Sequence, residues 1–400
     1  MALSARLTMP PQTYPNSEDC PPHLLHCRHH FRAHRWAIAL RKLPGTHALD
    51  SGEGIWLIPR QVQEIALDYT DCVFDRGAPN VTIRPDESVK GLEEMPSDRV
   101  TSAFKATMDT KPQWGRGTAN FTWPSTLQEL ADVCVLEFQI PDNINPPIYF
   151  YYRLTNFYQN HRRYVKSLDM DQLKGDAKGA GPIKSGDCDP LDVAPDGRPY
   201  YPCGLIANSM FNDTFQNLTI LNQQGGDDGN QLTWYNMTTH GISWGSEGDL
   251  YGQTNYKPSE VVPPPNWQGQ YPNGSYGNDT DNHLPDLHTW EAFQVWMRTA
   301  GLPTFSKLAM RNTNDAMKSA TYQLRIYDRT KRTFTPLRST TNTNAGFPAS
   351  KYGGTKSILI STRTVIGGKN PFLGIAYVAV GGLCILLGTI FTLTHLVKPR

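Results

Sequence analysis

The feature that most constrains this chain is an apolar run close to its C-terminal end. Residues 372–397 contain no Asp, Glu, Lys or Arg over 26 positions, and about 20 such residues suffice for a helix to cross a bilayer. The run therefore predicts a membrane-spanning helix over residues 371–397. The basic residues that follow place residues 398–400 in the cytosol by the positive-inside tendency. Residues 56–370 are then predicted to form an ectodomain on the lumenal or extracellular side.

Seven N-x-S/T sequons precede the apolar run, and none has proline at its middle position. Several lie in stretches rich in Gly, Asn and Asp, which are typical of surface turns. Their number and position favour an exported, glycosylated domain. The asparagines are Asn80, Asn120, Asn212, Asn217, Asn236, Asn273 and Asn278.

The cysteines favour an oxidising compartment. Cys384 lies in the apolar run, where a thiol behaves as a small apolar group, and Cys20 and Cys27 lie in an unusual N-terminal region. The remaining four are Cys72, Cys134, Cys188 and Cys203. Four cysteines permit three pairings, which the sequence alone does not distinguish. Proximity favours Cys188 with Cys203 and then Cys72 with Cys134, and buried free thiols are the alternative.

Composition and alternation together indicate a β-rich fold. The 33 glycines and 31 prolines favour short strands and long loops over a helical bundle. Apolar residues alternate in four widely separated stretches, as half-buried strands require. Such distant strands predict an antiparallel sheet and an α+β ectodomain. The alternating residues are Ile65, Leu67 and Tyr69; Leu136, Phe138 and Ile140; Tyr322, Leu324 and Ile326; Ile358 and Ile360.

Two segments between these strands show helical spacing. Residues 290–297 place three aromatic rings and a methionine at that spacing, and Gly301 with Pro303 ends the predicted helix. Within YYRLTNFYQNHRRYVKS, residues 151–167, the stretch 154–165 predicts a second helix with an apolar and an amide-rich face. Its tyrosines and amides favour a packed, hydrogen-bonded structural segment. Residues 169–197 and 225–285 are polar and turn-rich, and we expect loops there.

Residues 1–55 form an atypical N-terminal segment. The segment is rich in Pro, His and Arg, shows no sustained period, and holds no apolar run long enough for a signal peptide or a membrane span. HLLHCRHH, residues 23–30, has metal-binding residue types without the paired ligand spacings of a metal site. We interpret the segment as low-complexity sequence, and we predict neither a metal nor another cofactor.

The sequence lacks the patterns typical of an enzyme. It contains no G-x-S-x-G elbow and no H-E-x-x-H motif, and GGTKS lacks the glycine directly before Lys356 that a phosphate loop requires. Asp169 and Asp171 are expected to be solvated rather than catalytic. The 38 basic and 37 acidic residues give no overall field that would draw nucleic acid. We therefore expect a non-catalytic protein that does not bind nucleic acid.

Four blocks of sequence resemble those of one protein family. The blocks are YYRLTNFYQNHRRYVKS, PCGLIANSMFNDTF at 202–215, WMRTAGLPTFSKL at 296–308 and GGKNPFLGIAY at 367–377. In this order, over residues 56–400, they resemble the cell-division-control-protein-50, or ligand-effect-modulator, family. Members of that family are the non-catalytic subunits of type-IV P-type ATPases, the phospholipid flippases. The longer loops resemble the fungal branch.

The resemblance implies an accessory subunit that supports folding, exit from the endoplasmic reticulum and phospholipid movement toward the cytosolic leaflet. Hydrolysis of ATP belongs to the partner chain, whose D-K-T-G-T motif is absent here. The implied locations are the endoplasmic reticulum, Golgi or endosome, and plasma membrane. By position, the resemblance pairs Cys72 with Cys134 and Cys188 with Cys203. It also implies glycans at Asn212 and neighbouring Asn217.

One part that the resemblance implies is missing. The family has a first membrane helix before the block that matches QVQEIALDYTDC, whereas this chain has SGEGIWLIPR there. We therefore expect residues 1 to about 50 to come from a mis-assigned first exon, an alternative transcript or a damaged gene. Sequencing of the full-length transcript tests this expectation.

Two groups of residues are candidates for contact with the ATPase or with membrane phospholipids. Gly374, Gly381 and Gly388 are seven apart and form a stripe without side chains, which permits close approach of another helix, either one of the ATPase or the missing first membrane helix. The alternative is that they are glycines of the kind common in membrane helices, with no contact role. Arg162 and Arg163 are candidates for contact with lipid headgroups or an acidic loop, and a solvated helix face is the alternative. With nine tryptophans and eighteen tyrosines, a membrane-anchored adhesion or carbohydrate-binding surface protein is the competing function.

Overall fold

The computed structural model describes residues 62–398 with short gaps. The gaps are 74–76, 85–87, 124, 126–127, 224–232, 279, 329–346, 348 and 363–370. The atypical N-terminal segment, with its HLLHCRHH stretch, Cys20 and Cys27, lies outside the described residues. Within them, Val62–Gly368 forms one compact unit, and the C-terminal helix is described by itself.

The described residues form sixteen strands. They are β1 Glu64–Asp68, β2 Thr82–Ile83, β3 Val89–Lys90, β4 Glu93–Glu94, β5 Val100–Ala103, β6 Gln113–Thr122, β7 Gln128–Ile140, β8 Ile148–Leu154, β9 Thr214–Phe215, β10 Leu218–Gln223, β11 Thr233–Tyr235, β12 Gly277–Asn278, β13 Asp281–Asn282, β14 Phe305–Asn312, β15 Ala320–Asp328 and β16 Lys356–Thr362.

Seven α-helices and four 3₁₀ turns complete the described part of the chain. The helices are α1 Arg162–Lys166, α2 Met170–Leu173, α3 Ala180–Lys184, α4 Leu205–Asn208, α5 Gly245–Gly248, α6 Glu291–Met297 and α7 Pro371–Val397. The 3₁₀ turns are Ser97–Arg99, Gln268–Gln270, Pro272–Gly274 and Ala349–Tyr352. Strand therefore outweighs helix in the described part of the compact unit Val62–Gly368.

Twelve of the sixteen strands form two large antiparallel sheets, which confirms the predicted fold class, and β2 with β3 and β12 with β13 form two separate two-stranded sheets. One sheet has five strands in the order β14-β8-β16-β1-β5, and the other has the order β11-β10-β15-β7-β6-β4 with β9 beside β15. All named pairings in both sheets are antiparallel. Strand β1 pairs with β16 nearly 300 residues away, so the non-local pairing that the wide spacing predicts is present.

The inner faces of the two sheets pack against each other in what we call the sandwich core. The predicted alternation is confirmed in β1, β7, β15 and β16, because the alternating apolar residues of these strands all belong to this one core. In β7, β15 and β16 the residues between them include buried ones as well, such as Val135 and Leu359. Cross-strand pairs such as Leu67 with Ile358 and Leu136 with Leu324 stack these side chains in register. The sandwich core comprises Ile65, Leu67, Leu136, Phe138, Ile140, Ile148, Phe150, Tyr322, Leu324, Ile326, Ile358 and Ile360.

A second cluster, which we call the aromatic core, is built mainly from helices and turns. It comprises Tyr152, Leu154, Tyr201, Ile206, Phe211, Tyr251, Tyr256, Trp267, Tyr276, Phe293, Trp296 and Phe347. Two of its indole N–H groups donate to helix α4: Trp267 to Ala207 O at 2.9 Å and Trp296 to Ile206 O at 2.8 Å. Residues 225–285, expected as polar loops, thus contribute four buried aromatic rings to this core and a fifth, Tyr235, to the sandwich core.

The predicted helix over 290–297 is present as α6, which ends at Met297, four residues before Gly301. The helix predicted over 154–165 is wrong. Leu154 is the last residue of β8 and pairs with Phe305 and Lys356 on its two sides. Asn156 then adopts φ 54°, a left-handed conformation that a right-handed helix excludes. Only Arg162–Lys166 is helical.

The C-terminal helix α7 has the length and composition that the apolar run predicts. Its 27 residues span about 40 Å at 1.5 Å per residue, against a hydrocarbon core of about 30 Å. The stretch Ile375–Val397 has a mean hydropathy of 2.1, and only 6% of its most apolar part is buried. Large apolar side chains such as Leu383 and Phe391 are exposed, as they are on a helix whose surroundings are lipid.

Candidate functional site

Residues 155–167, here called the junction segment, use their amides to hold neighbouring loops. Gln159 is fully buried, and its Oε1 accepts a hydrogen bond from the backbone N–H of Ala300 at 2.9 Å. Asn160 Nδ2 donates to the carbonyl oxygen of Gly301 at 3.0 Å. Side chains thus satisfy backbone groups that lie outside any strand ladder, which agrees with a structural role for this segment.

The rings of the junction segment extend the aromatic core. Phe157 lies within ring-contact distance of Tyr164, Trp296, Phe305, Phe347 and Tyr352. The Tyr164 hydroxyl lies 2.8 Å from Ser209 Oγ, and burial raises the pKa of Tyr164 to about 12. The hydroxyl therefore stays protonated at neutral pH, and the dense aromatic sequence serves packing at this position.

Arg162 and Arg163 lie on the exposed face of α1. Both side chains are exposed, as are those of His161 and Lys166. Arg163 Nη2 lies 3.7 Å from Asp189 Oδ2, with both side chains at least 70% exposed. An ion pair so exposed contributes little to stability, so this basic surface is accessible to a partner.

A buried ion pair lies where the sandwich core meets the aromatic core. Lys356 Nζ is 2.8 Å from Asp213 Oδ2, and the two side chains are 2% and 0% exposed. The hydroxyl of Tyr69 donates to the same carboxylate oxygen at 2.9 Å. Lys356 begins β16, while Asp213 precedes β9 and neighbours Phe211 of the aromatic core. The pair therefore ties the loop region to the sandwich.

A second buried lysine holds the C-terminal end of α6. Lys307 Nζ donates to the carbonyl oxygens of Val295, Trp296 and Arg298 at 2.8, 2.7 and 2.5 Å. These carbonyls have no partners within the helix, and a cation there complements the helix dipole. Burial, followed by the nearby charge of Arg298, lowers the pKa of Lys307 to about 7.

Two disulfides cross-link the described residues of the compact unit Val62–Gly368. Cys72 follows β1 of the five-stranded sheet, and Cys134 lies in β7 of the other sheet, so their bond links the two layers of the sandwich. Cys188 and Cys203 are bonded beside Ile183 in a small buried cluster that precedes α4. All four sulfur-bearing residues are buried.

The seven sequon asparagines divide into two groups by exposure. Asn80, Asn120, Asn236, Asn273 and Asn278 are exposed, and Asn212 and Asn217 are half-buried. Several already use the carbonyl oxygen Oδ1: in Asn217 it accepts from the backbone N–H of Met237 at 3.0 Å, and in Asn80 from Arg116 Nε at 2.8 Å. Glycans attach to Nδ2, so modification leaves these two bonds intact.

The three spaced glycines lie in α7. Gly381 is buried and Gly388 is half-buried, whereas the neighbouring Gly382 is exposed. Thr392 directs its hydroxyl to the carbonyl oxygen of Gly388 at 2.8 Å, which satisfies the hydroxyl within the helix itself. Gly374 lies on the same line one heptad earlier. The three glycines therefore recur along one line of the helix, as their seven-residue spacing predicts.

The comparisons with known proteins agree with one another. The model of the LEM3 (ligand-effect modulator 3) family / CDC50 family matches residues 55–400. The chain belongs to the LEM3/CDC50 family. The chain is 38% identical to the phospholipid-transporting ATPase accessory subunit CRF1 of Saccharomyces cerevisiae, over 87% of this chain and 77% of that protein.

Other LEM3/CDC50 relatives come from fungi and animals. The phospholipid-transporting ATPase accessory subunit CDC50 of Chaetomium thermophilum is 36% identical over 88% of this chain and 81% of its own length. Human cell cycle control protein 50B is 35% identical over 66% of this chain and 70% of its own length. The fungal relatives match more of the chain, which confirms the resemblance to the fungal branch. The adhesion or carbohydrate-binding alternative has no support among them.

Asp169 and Asp171, the two carboxylates considered as a catalytic pair, have a structural partner in this LEM3/CDC50 chain. Lys178 Nζ lies 2.9 Å from Asp169 Oδ2 and 2.7 Å from Asp171 Oδ2. The hydrogen bond from Lys178, with its charge, lowers the pKa of Asp171. Asp169 also accepts from the backbone N–H of Gln172 and so begins α2. In the described part of the chain, no group of three His, Cys, Asp or Glu side chains could hold a metal ion.

Sequence reasoning missed the two buried lysines and Asp213. For Lys356 a signal exists, because it stands two and four residues before the inward-facing Ile358 and Ile360 and so shares their face. Lys307 gives a weaker signal, because β14 shifts register between Leu308 and Met310. Asp213 belongs to no alternating or helical pattern in the sequence, so its position beside Lys356 is visible only in the folded structure.

Proposed function

We propose that this chain is the non-catalytic accessory subunit of a phospholipid-transporting ATPase of the P4 type. The observation that carries the proposal is the family match over residues 55–400, together with fungal relatives of that name that align over more than three quarters of their own length. The catalytic partner hydrolyses ATP and moves phospholipid from the exoplasmic to the cytosolic leaflet. This chain supports its folding, its exit from the endoplasmic reticulum and its transport cycle.

In this proposal the compact unit over residues 62–368 is exoplasmic, and α7 anchors it. All seven sequons and both disulfides precede α7, and these modifications belong to an oxidising, glycosylating compartment. Lys398 and Arg400 then lie on the cytosolic side. The complex resides in the endoplasmic reticulum, in the Golgi or endosomes, and at the plasma membrane.

The accessory role requires a rigid body and surfaces for the partner. Rigidity comes from the two sheets, their linking disulfide and the buried Lys356–Asp213 pair. The stripe formed by Gly374, Gly381 and Gly388 contacts a helix of the ATPase, since helix association in lipid depends on close packing at small residues. The exposed Arg162 and Arg163 contact the ATPase or lipid headgroups by charge.

Affinity purification of the tagged full-length chain from membranes in a mild detergent tests the proposal. We expect a large multi-span ATPase with a D-K-T-G-T motif to co-purify at near-equal amounts. Recovery of the stably folded chain with no such ATPase would overturn the proposal.

Two sets of variants test the surfaces separately. Gly381→Leu is expected to reduce ATPase recovery at least five-fold, whereas Gly382→Leu, on the exposed side of the same turn, leaves recovery close to wild type. Arg162→Ala combined with Arg163→Ala is expected to weaken recovery about two- to three-fold at low ionic strength and less in high salt. Unchanged recovery would remove the corresponding surface from the interface.

A further inference from the structure

A cavity of about 220 Å³ opens on the ectodomain between the edge strand β14 and the start of α6. Its lining is mainly apolar and includes Phe211, Phe215, Trp290 and Met310, together with the polar residues Thr239 and Gln270. Sites for small ligands share this composition of aromatic walls with a few polar groups. Drug-sized ligands occupy roughly 300–1,000 Å³, so this cavity suits a single small ring.

The walls of the cavity are held in place independently of any ligand. Tyr152 and Phe211 stack with ring centroids 4.1 Å apart and planes 6° from parallel. The carboxylate of Glu291, beside Trp290, accepts backbone N–H groups of residues 241–243 at 2.7–3.1 Å, which fixes the loop after Thr239. Burial acts to raise the pKa of Glu291, but these N–H donors outweigh it and lower that pKa.

The lining also contains both functional positions of one sequon. Asn212 and Thr214 border the cavity, and Asp213 between them is anchored to Lys356 in the protein interior. Asn212 is half-buried, whereas five of the other sequon asparagines are exposed. A sugar on Nδ2 of Asn212 therefore begins at the cavity, and the anchored Asp213 prevents the sequon from swinging away.

We propose that the first N-acetylglucosamine of a glycan on Asn212 lies in this cavity. The apolar face of the sugar ring packs on the aromatic wall formed by Trp290 and Phe211, as flat apolar surfaces do. Its hydroxyl and acetamide groups bond with Thr239 and Gln270, which satisfies polar groups on both sides. The glycan then acts as a packing element between β14 and α6. This inference rests on the proposed exoplasmic location of the ectodomain.

Attachment of the glycan needs a glycosyl donor but no oxidant or reductant. The donor is a lipid-diphosphate-linked oligosaccharide, whose anomeric carbon forms a bond to Nδ2 of Asn212. One N–H bond of the amide and the anomeric C–O bond to diphosphate break. The lipid diphosphate leaves, and the amide proton is transferred to base.

Site-specific deglycosylation of the full-length chain in detergent tests the inference. Peptide-N-glycosidase F in H₂¹⁸O converts each released site to labelled Asp, and mass spectrometry then measures the rate at every sequon. In the folded protein we expect release at Asn212 to be at least ten-fold slower than at the exposed Asn273 and Asn278. After unfolding in detergent and reductant, the rates are expected to agree within two-fold.

A cavity-filling variant and its control sharpen the result. Ala292→Leu adds volume to the lining from the half-exposed second position of α6, and it is expected to expel the sugar and bring release at Asn212 within two-fold of Asn273. Ala119→Leu, a half-exposed position on β6 away from the cavity, is expected to retain the slow release. If Ala292→Leu does not reach the membrane, the wild-type rates alone decide.

Three outcomes would contradict the inference. Fast release at Asn212 in the folded wild-type chain would place the sugar in solvent. If Asn212 is unmodified while Asn273 carries a glycan, no sugar is attached at the cavity and the inference fails, but the proposed exoplasmic location still stands. Absence of glycans from all seven sequons would overturn that location as well, so the two failures are distinguishable.

Discussion

The sandwich core and the aromatic core are both well buried, but different groups satisfy their backbones. In the sandwich, strand ladders pair the N–H and C=O groups, and the side chains between the sheets are almost all apolar. The aromatic core is built mainly from short helices and turns, so buried side chains take the place of the strand ladder. Gln172, for example, donates to Tyr200 O at 2.9 Å and accepts from the N–H of Cys203 at 2.8 Å. Buried polar groups are therefore part of the architecture where strands are absent.

The largest effect is expected at the boundary between the two cores. Asp213→Ala leaves Lys356 buried without its carboxylate, and breaking a buried ion pair in this way costs about 3–5 kcal/mol. The substitution keeps the Asn212 sequon, so glycosylation is unchanged. Urea unfolding of the full-length chain in detergent, followed by tryptophan fluorescence, measures the loss.

The double variant Asp213→Leu with Lys356→Met is the control for this prediction. It removes both charges and keeps most of the side-chain volume, and such replacements are often close to neutral. We expect it to recover at least half of the lost free energy of unfolding. A double variant as unstable as Asp213→Ala would show that volume or the Tyr69 contact, rather than the unpaired charge, dominates.

Removing each disulfide in turn compares the stability of the sandwich with that of the turn-rich region. Cys72–Cys134 closes 62 residues between the sheets, and Cys188–Cys203 closes 15 residues in the turn-rich part. Chain entropy predicts a loss of about 4 kcal/mol for Cys72→Ala with Cys134→Ala and about 3 kcal/mol for Cys188→Ala with Cys203→Ala. The same urea measurement under non-reducing conditions ranks them. A reversed order would mean that the loop region depends more on its covalent bond than the sandwich does.

The contrast also explains what the sequence could predict. Ile65 with Leu67 and Ile358 with Ile360 reveal their strands because a sheet with one buried face imposes a period of two. The rings of Tyr251, Tyr256, Trp267 and Tyr276 share no period, since turns bring them together from separate loops. Their burial depends on long-range contacts that no local pattern encodes.

The candidate sites divide in the same way. Sequons and the apolar run are local signals, so Asn212 and the extent of α7 could be named from the sequence. The position of Asn212 beside a cavity could not, because Trp290 and Met310 reach that cavity from elements far along the chain. The helix predicted over residues 154–165 is wrong for a related reason. The apolar residues of this stretch do have helical spacing, but the pairing of Leu154 with β14 and β16 prevails over that local preference.

A smaller effect is expected from pH at Lys307. Its pKa is about 7 in the folded protein and near 10.4 in an unfolded chain, so between these values the unfolded state binds more protons. The free energy of unfolding therefore rises with pH in this window, by roughly 2 kcal/mol between pH 7 and pH 9 from this group. Lys307→Met is expected to lose that rise, and urea unfolding at the two pH values checks it. An unchanged pH dependence in Lys307→Met would assign the rise to other groups.

The smallest effect is expected at the exposed face of the junction segment. Arg163→Ala removes a guanidinium that is 77% exposed and lies 3.7 Å from the equally accessible Asp189. Water and salt screen such a pair, so the free energy of unfolding should change by no more than about 0.5 kcal/mol. Urea unfolding of Arg163→Ala beside Asp189→Ala provides the measurement. A loss above about 1 kcal/mol in either variant would mean that this surface supports the aromatic core, and a reduction in ATPase recovery could then no longer be attributed to a direct contact.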